Sequence, residues 1–338
     1  MKRIKLLSSL AILVIVASCS KKDNAVVSPP VVAKDVYVAG FENDTAKVWK
    51  NGISTNITDG SSYAEANSIF VSSSDVYVVG FQSTQAGGSI VLWKNGMASE
   101  PTDNTHQSRA FSVFVNGADV YAAGYESNGT NPVAKIWKNG IATALSDGTN
   151  YVIAYSVFVS GTDVYAVSTE PASNGIIVKV WKNGISTNIT DGSSSAEANS
   201  IFVIGSDVYV VGSIYNGTVS VATIWKNGTA SALTDGTNFA HTSSIFVSGT
   251  DVYVSGYESN GAKYVAKFWK NGVSTSLTDG NNDAFARSVY VNGTDVYVAG
   301  EENVGNASIA KLWKNGNATS LTTGSNFATA GATSVFVK

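Results

Sequence analysis

The sequence is poor in the residues that most catalytic and metal sites use. Its one cysteine, Cys19, excludes a disulfide within the chain and a site of several thiolate ligands. Only two histidines are present, His106 and His241, so neither a histidine metal cluster nor a repeated acid–base set is expected. A phosphate-binding glycine loop and a nucleophile-elbow motif are also missing. We therefore expect a protein that is not an enzyme and that holds no cofactor and no metal.

Charge and proline are scarce as well. Charged residues make up 14% of the chain, the formal net charge is −3, and no basic patch is present. Nucleic acid is therefore excluded as a partner, because binding it requires clustered lysine and arginine. Five prolines stand against 32 glycines. That balance is typical of tight turns between many short strands.

Long apolar runs are also absent, and the longest one lies near the beginning of the chain. Met1–Lys5 is basic, and the mostly apolar run 6–17 that follows is too short to span a membrane. This pattern predicts a signal peptide over residues 1–18. The segment Val16-Ala17-Ser18-Cys19 resembles the lipobox of bacterial lipoproteins, which implies that Cys19 is lipidated. A plain signal peptide with an incidental cysteine is the alternative.

Residues 19–34 are polar and then rich in valine and proline, with no periodicity, so they are expected to form a flexible tether. The residue after the cysteine is Ser20, whereas an aspartate there would resemble an inner-membrane retention signal. The resemblance to lipoproteins therefore implies a cell-envelope protein in the outer membrane, on the periplasmic side or the cell surface.

The rest of the chain is dominated by one tetrapeptide, Trp-Lys-Asn-Gly, which occurs seven times at a constant spacing of 44 residues. Its tryptophans are Trp49, Trp93, Trp137, Trp181, Trp225, Trp269 and Trp313. A fixed period of about 40 to 45 residues is the size of a four-stranded propeller blade. The period predicts an all-β, seven-bladed β-propeller over residues 35–338, with four antiparallel strands per blade.

Each repeat divides into four apolar runs, which we name strands A to D in chain order. The Asn-Gly pair between strands C and D predicts a two-residue hairpin, because that turn needs positive φ at both positions. The turn between strands A and B is followed by an aspartate in all seven repeats: Asp35, Asp75, Asp119, Asp163, Asp207, Asp251 and Asp295. We expect this aspartate to accept hydrogen bonds from nearby backbone.

Glutamate in strand B and lysine in strand C are present or absent together. The pairs are Glu42 with Lys47, Glu126 with Lys135, Glu170 with Lys179, Glu258 with Lys267, and Glu302 with Lys311. In the other two repeats Gln82 and Ile214 replace the glutamate, and Val91 and Thr223 replace the lysine. This joint loss predicts cross-strand ion pairs that belong to the framework.

The recurring tryptophan is expected to have a structural role. The inferred register places Trp137 opposite Gly124 and Trp269 opposite Gly256, and Ser168 is the one substitute for this glycine. An aromatic ring that covers a cross-strand glycine stabilises a strand; stacking on a sugar is the alternative role. The Val-Phe-Val segment of strand A is expected to be buried on both sides, because neighbouring blades cover both faces of a blade.

The first strand B lacks a preceding strand A, and the last strand A, 334–337, lacks a following strand B. We therefore expect the ring to close with this C-terminal strand A beside strands B, C and D from residues 35 to about 58. The Asp-Val-Tyr-Val-Ala-Gly segments at Asp35 and Asp295 resemble a motif of secreted bacterial β-propeller-repeat proteins. WD40 and sialidase motifs are absent.

The two ends of the blades differ in how closely the repeats agree. The A–B and C–D turns, on what we call the uniform face, are nearly identical, whereas the B–C and D–A loops, on the divergent face, vary. Two columns before the strand-A serine carry this variation, and their candidate ligand-binding residues are Glu65, Asn67, Arg109, Phe111, Tyr155, Glu197, Asn199, His241, Phe285 and Arg287. Binding residues commonly sit on loops held by a rigid scaffold; drift at solvated positions is the alternative.

These observations favour a lipid-anchored binding scaffold that contacts an unknown protein or polysaccharide through its divergent face. A lectin-like carbohydrate binder is a second hypothesis. A surface lyase or hydrolase is a third, and it requires Glu65, Arg109, Glu197, His241 and Arg287 to converge at the channel mouth. We expect a monomer that meets the membrane only through its anchor, with the uniform face toward the lipid.

Overall fold

The structure is a computed structural model that describes residues 34–84, 87–325 and 327–338. The predicted signal peptide, the lipidated Cys19 and the tether up to residue 33 lie outside the described residues. Within the described ranges every regular element is a β-strand. A search of the same ranges found no helix with the length and apolar character needed to cross a membrane.

The 28 strands form seven four-stranded sheets, which confirms the all-β, seven-bladed propeller. Blades are numbered in chain order, and the strands of each follow. Blade 1 has β1 (Val36–Glu42), β2 (Thr45–Lys50), β3 (Ile53–Asn56) and β28 (Ala330–Val337). Blade 2 has β4 (Ala64–Ser72), β5 (Asp75–Gln82), β6 (Ser89–Lys94) and β7 (Met97–Ser99). Blade 3 has β8 (Ser108–Asn116), β9 (Asp119–Ser127), β10 (Pro132–Lys138) and β11 (Ile141–Ala144).

The remaining four blades repeat the same order from strand A to strand D. Blade 4 has β12 (Ile153–Ser160), β13 (Asp163–Pro171), β14 (Ile176–Lys182) and β15 (Ile185–Asn188). Blade 5 has β16 (Ala196–Ile204), β17 (Asp207–Tyr215), β18 (Ser220–Lys226) and β19 (Thr229–Ala232). Blade 6 has β20 (Ala240–Ser248), β21 (Asp251–Ser259), β22 (Tyr264–Lys270) and β23 (Val273–Ser276). Blade 7 has β24 (Ala284–Asn292), β25 (Asp295–Val304), β26 (Ala307–Lys314) and β27 (Asn317–Ser320).

The ring closes as the sequence predicts. Strand β28 pairs with β1 in antiparallel register, with Val337 opposite Val36 and Ala330 opposite Glu42. The main chains of Asp35 and Lys338 also exchange two hydrogen bonds of 2.9 Å. The closing strand begins at Ala330, four residues before the predicted start, because a bulge at Thr333 lets the pairing continue past the serine.

The hydrophobic core lies between neighbouring blades. Seven buried clusters each combine side chains of two adjacent sheets. In one of them Trp93 of blade 2 packs with Tyr37 and Ala39 of blade 1. Six of the seven tryptophans are at most 2% exposed, and Trp181 is 7% exposed. Because every blade buries its apolar side chains against the next, closing the ring completes the last of these interfaces.

The turns of the uniform face match the predicted hairpin. All seven Asn-Gly pairs have positive φ, from 50° to 53° at asparagine and from 81° to 83° at glycine. The expectation for the strand-B aspartate was wrong about its partners. Asp119 accepts a hydrogen bond of 2.8 Å from the Asn139 side chain and pairs with Lys138 at 2.8 Å, while Asn139 accepts from the Val120 N–H. The same contacts recur in every blade, so the aspartate ties the A–B turn to the Trp-Lys-Asn-Gly turn.

All five predicted Glu–Lys ion pairs are confirmed, but they are diagonal neighbours. In blade 3, Lys135 lies opposite Gly124, and Glu126 lies opposite Val133. The predicted Trp–Gly register is therefore wrong by two residues, because Trp137 lies opposite Ala122.

Glycine recurs at this strand-B position for another reason: the position lies close to the backbone of the innermost strand. A Cβ at Gly124 would lie 1.9 Å from the carbonyl oxygen of Arg109, and the other strand-B glycines of this column meet the same obstacle. Blade 4 carries Ser168 at this position, and its hydroxyl accepts a 2.8 Å hydrogen bond from Trp181 Nε1.

Candidate functional site: the divergent face and central channel

Every innermost strand contains a β-bulge at the residue before its serine. Buried Ala64 and Ala66 alternate with solvent-side residues up to this point, and buried Ile69 and Val71 resume the alternation one residue out of phase. The extra residue has no partner on strand B. The seven bulge residues are Asn67, Phe111, Tyr155, Asn199, Ser243, Arg287 and Thr333. One of the two divergent columns is thus set apart by backbone geometry.

The bulge residues and the serines that follow them line one axial cavity of about 120 Å³. The serines also join neighbouring blades, because at six of the seven junctions the N–H of the residue after a serine donates to the serine hydroxyl of the preceding blade. Val113 donates to Ser68 at 3.1 Å, and Ile69 donates to Ser334 at 3.2 Å across the closing blade. These bonds satisfy N–H groups that the innermost strand edge would otherwise leave open.

A closed ring of seven aromatic side chains lies on the uniform-face side of these serines. Neighbouring ring centroids are 4.6 to 5.3 Å apart all the way round. The members are Phe70, Phe114, Phe158, Phe202, Phe246, Tyr290 and Phe336. The expectation that Val-Phe-Val is buried on both sides was wrong for its phenylalanine, which is half-buried, because the innermost strand has a paired strand on only one edge and its other edge borders the channel.

Arg109 is at the centre of a first group of aromatic residues on the divergent face. Its guanidinium pairs with Glu65 of the preceding blade and lies 5.3 Å from the Phe81 ring and 5.5 Å from the Phe111 ring. Phe111 in turn lies 5.5 Å from the Tyr155 ring. We call these five residues, with Tyr63, which donates its hydroxyl to Glu65, the first aromatic–arginine cluster.

A second aromatic–arginine cluster lies on blades 6 and 7. Arg287 Nε donates to Glu301 at 2.8 Å, and its guanidinium lies 4.9 Å from the Phe285 ring. Tyr257 meets Phe285 edge to face at 4.8 Å and stacks on His241 at 5.1 Å. The cluster consists of these five residues together with Phe239 and Tyr264, which contact the same rings.

Burial affects the pKa values of both charged groups in the Arg287–Glu301 pair. Glu301 is 8% exposed, and burial raises the pKa of its carboxyl even though Arg287 acts in the opposite direction. Burial opposes the charge on Arg287, but the Glu301 carboxylate outweighs it and raises the pKa of the guanidinium. Removing one partner would leave a buried charge without compensation, so these two groups function as a unit.

Glu197 and Asn199 occupy the position between the two clusters. Glu197 lies 3.4 Å from His241 Nε2, and the neighbouring imidazole lowers the pKa of the Glu197 carboxyl. Asn199 donates to the Thr242 carbonyl at 2.8 Å and lies 3.2 Å from the same imidazole nitrogen.

The five residues of the lyase or hydrolase hypothesis lie in three contacting pairs, one of which includes Glu301. Glu65 holds Arg109, Glu197 holds His241, and Arg287 is held by Glu301. Among the described residues no group of three or more histidine, cysteine and carboxylate side chains could hold a metal ion. The arrangement presents paired charges among aromatic rings.

Sequence reasoning missed a whole column of the site, on strand B. The residues of this column pair directly with those of the first divergent column, for example Phe81 with Glu65, Tyr125 with Arg109 and Glu301 with Phe285. The column differs from blade to blade: Phe41, Phe81, Tyr125, Thr169, Ser213, Tyr257 and Glu301. The signal was present, because this position follows the nearly constant glycine.

No protein-family model matches this chain, and no curated protein matches it. Among solved structures, an acylaminoacyl peptidase from Pyrococcus horikoshii aligns over 86% of this chain at 12% identity and a TM-score of 0.55. The alignment covers 51% of that peptidase, so this chain spans about half its length. The likeness shows the fold alone.

Two further solved structures align with TM-scores below 0.5. TolB from Acinetobacter baumannii is 11% identical, with a TM-score of 0.49, over 87% of this chain and 80% of that one. A Trypanosoma rangeli sialidase in complex with 2,3-difluorosialic acid is 11% identical, with a TM-score of 0.48, over 85% of this chain and 56% of that one. At these scores neither structure carries an argument about function.

Proposed function

We propose that this protein is a non-enzymatic, lipid-anchored propeller of the cell envelope that binds a partner protein through its divergent face. The single observation that carries the proposal is the pair of aromatic–arginine clusters beside the channel mouth. Arginine and aromatic residues are the types most enriched at the energetic centres of protein interfaces. A monomeric disc that presents both clusters on one face acts as a scaffold.

The framework does not require these clusters. Blade 4 folds with Ile153 opposite Thr169 at the positions where blade 3 has Arg109 opposite Tyr125. Blade 1 folds with Gly331 at the same position. Residues that the framework does not require are available for another purpose, and contact with a ligand is the purpose that fits side chains at the rim of a rigid scaffold.

The described chain begins on the uniform face, which supports the proposed orientation. Lys34 Nζ donates to the Asn292 carbonyl at 2.6 Å and lies 3.9 Å from Asp295. A lipid on Cys19 would hold this face toward an outer membrane and leave the divergent face free for a partner. Mass measurement of the N-terminal peptide of the mature protein tests the lipid.

The binding proposal is tested by capture from envelope extracts on immobilised protein, with bound proteins identified by mass spectrometry. We expect the Arg109→Gln, Arg287→Gln double variant to lose at least about tenfold in affinity for the captured protein, since loss of one interface hot spot costs about 2 kcal/mol or more. The control is the Lys94→Gln, Lys182→Gln double variant, which removes the same charge from the uniform face. Equal losses in both variants would contradict the proposal.

A lectin-like carbohydrate binder is the second candidate, and the Tyr257, Tyr264 and Phe285 rings favour it because aromatic faces can stack on sugars. A glycan array separates the two candidates. Binding to a glycan that is lost in the Tyr257→Ala variant would support a carbohydrate ligand over a protein.

A further inference from the structure

Apolar side chains project into solvent where the outermost strands begin, on the uniform face. This position follows the Asn-Gly turn, and in five blades its side chain is among the most exposed large apolar groups of the described chain. The exposed fractions are 75% for Ile53, 72% for Met97, 74% for Ile141, 75% for Ile185 and 71% for Val273. Single exposed apolar residues are ordinary, but here the same turn position is apolar in five of the seven blades along one rim.

The fold itself does not require apolar residues here, because two blades lack them. Thr229 of blade 5 and Asn317 of blade 7 pair with the preceding lysine in the register that Ile53 uses in blade 1. All three strands are exposed along their whole length. Threonine and asparagine therefore fulfil the structural role of the position, and the aliphatic side chains add a surface property.

Four of the five aliphatic residues lie on consecutive blades. Ile53, Met97, Ile141 and Ile185 belong to blades 1 to 4, and we call them the apolar arc. The arc begins on the blade where the described chain also begins. Cys19 stands fifteen residues before Lys34, and a segment of that length extends to at most ~50 Å. A lipid attached at Cys19 would therefore hold the start of this rim within ~50 Å of a bilayer.

We propose that the apolar arc rests in the lipid headgroup region, so that blades 1 to 4 contact the bilayer while the divergent face points away from it. The proposal rests on the lipid anchor of the proposed function and adds a second, protein-borne contact, which replaces the sequence-based expectation that the anchor alone meets the membrane. Aliphatic groups at a membrane surface gain by partial burial among headgroups and acyl chains.

The charge of the rim determines what kind of lipid it accepts. The lysine beside each arc residue forms a 2.8 Å ion pair with the aspartate of its own blade. Each of these lysines also lies 5.2 to 5.4 Å from a tyrosine ring. The rim therefore has little net charge, so docking depends on apolar contact and requires no anionic lipid.

The test uses residues 34–338, which carry both ends of the closed ring, attached through an N-terminal histidine tag to nickel-chelating lipid in phosphatidylcholine vesicles. Because the tag replaces the native lipid, the outcome is independent of acylation at Cys19 and of partner capture. Single cysteines at Met97→Cys and Ile185→Cys carry a fluorophore, with Thr229→Cys and Asn317→Cys as matched controls in the same turn. We expect nitroxide lipids to quench the first two labels at least about twice as strongly as the controls.

A second measurement avoids labels. A fourfold threonine variant places the residue of blade 5 at every position of the apolar arc: Ile53→Thr, Met97→Thr, Ile141→Thr, Ile185→Thr. We expect its melting temperature to equal that of the parent protein. Its partition onto untethered phosphatidylcholine vesicles should fall at least about tenfold, since partial burial of each aliphatic side chain contributes about 1 kcal/mol. Partition of the parent protein should persist in about 1 M salt, where charge interactions are screened.

Three results would overturn the proposal. The first is equal quenching at all four labelled sites, and the second is unchanged partition of the fourfold threonine variant. The third is self-association of the parent protein without vesicles that the threonine substitutions abolish, since the apolar arc would then contact a second copy of the chain.

Discussion

The uniform and divergent faces are built from the same 44-residue unit but use it in opposite ways. On the uniform face each blade repeats one set of contacts, in which an aspartate accepts from the Asn-Gly turn and pairs with its lysine. On the divergent face equivalent positions carry Glu65, Arg109 and His241, which contact their counterparts in neighbouring blades. Identical contacts therefore hold each blade together, and differing residues create distinct sites around one axis.

Backbone geometry explains how one repeat can keep constant contacts on the uniform face and vary its side chains on the divergent face. The bulge in each innermost strand adds a residue without displacing the buried side chains on either side of it. Its side chain consequently has no packing partner that must be conserved from blade to blade. A position of this kind can be asparagine in one blade and arginine in another without loss of the fold.

The largest effect is expected from removing the strand that both faces share. Deletion of residues 330–338 takes away β28, with buried Val335 and Val337 and the ring member Phe336. The lost burial amounts to roughly 4 to 8 kcal/mol, comparable to the whole stability of many domains. We expect loss of cooperative thermal unfolding, measured by circular dichroism. A melting temperature within about 5 °C of the parent protein would show that closure is dispensable.

The next effect concerns the bulge, which sets the divergent face apart. A Cβ at Gly256 would lie 2.0 Å from the His241 carbonyl oxygen, so Gly256→Ala should lower the free energy of unfolding by about 1 to 3 kcal/mol. Urea denaturation measures this loss. The control Ser168→Gly introduces no new Cβ and removes the hydrogen bond of Trp181, which is worth about 1 kcal/mol. A smaller loss for Gly256→Ala than for the control would contradict the account of the bulge.

A smaller effect compares blades with one another. Replacing the turn asparagine by alanine in blade 2, 3 or 6 (Asn95, Asn139 or Asn271) should lower the free energy of unfolding by roughly 1 to 2 kcal/mol. Each replacement removes two hydrogen bonds. The three values should agree within about 0.5 kcal/mol. Alanine at Asn67, Phe111 and Ser243 should give unequal values by the same denaturation assay. Unequal losses of unfolding free energy among the three turn variants would contradict the distinction between the two faces.

The smallest effect is that of pH on the uniform face. Asn315 and Lys314 lower the pKa of Asp295 from 3.8 to about 2, and the pKa values of the other six turn aspartates are also lowered, chiefly by their lysines. Their contribution to stability is therefore present above the unfolded value of 3.8 and is lost as pH falls toward 2. We expect the melting temperature to fall over that interval, and less steeply in the Asp295→Asn variant. A fall of equal steepness in both proteins would exclude Asp295 as a contributor.

The architecture could be predicted because several independent signals agree with it. The constant spacing of tryptophan sets the blade count, and the Asn-Gly pairs mark the hairpins. The joint replacement of glutamate and lysine, by Gln82 and Val91 in one repeat, identifies the paired strands. The unmatched first and last strands predict closure. Each of these signals is local or strictly periodic, so it survives in the sequence without knowledge of distances.

The site could be predicted only in part, because its chemistry depends on register. The innermost column was found from its variation, but the bulge that sets Asn67 and Ser68 side by side on the channel is invisible in a period-two pattern. Glu301 is absent from the predicted site because its partner Arg287 belongs to another strand and lies diagonally across the pair. The Trp137–Gly124 register was wrong by two residues because the glycine accommodates a neighbouring carbonyl.

The most direct test of the central claim is capture by discs held in opposite orientations. Residues 34–338 contain no cysteine, so a single introduced thiol fixes the attachment point. Asn317→Cys attaches the uniform face to the bead, and Thr130→Cys attaches the divergent face. The account predicts that the same envelope protein is captured in the first orientation and lost in the second. Equal capture in both orientations, or capture only through Thr130→Cys, would contradict it.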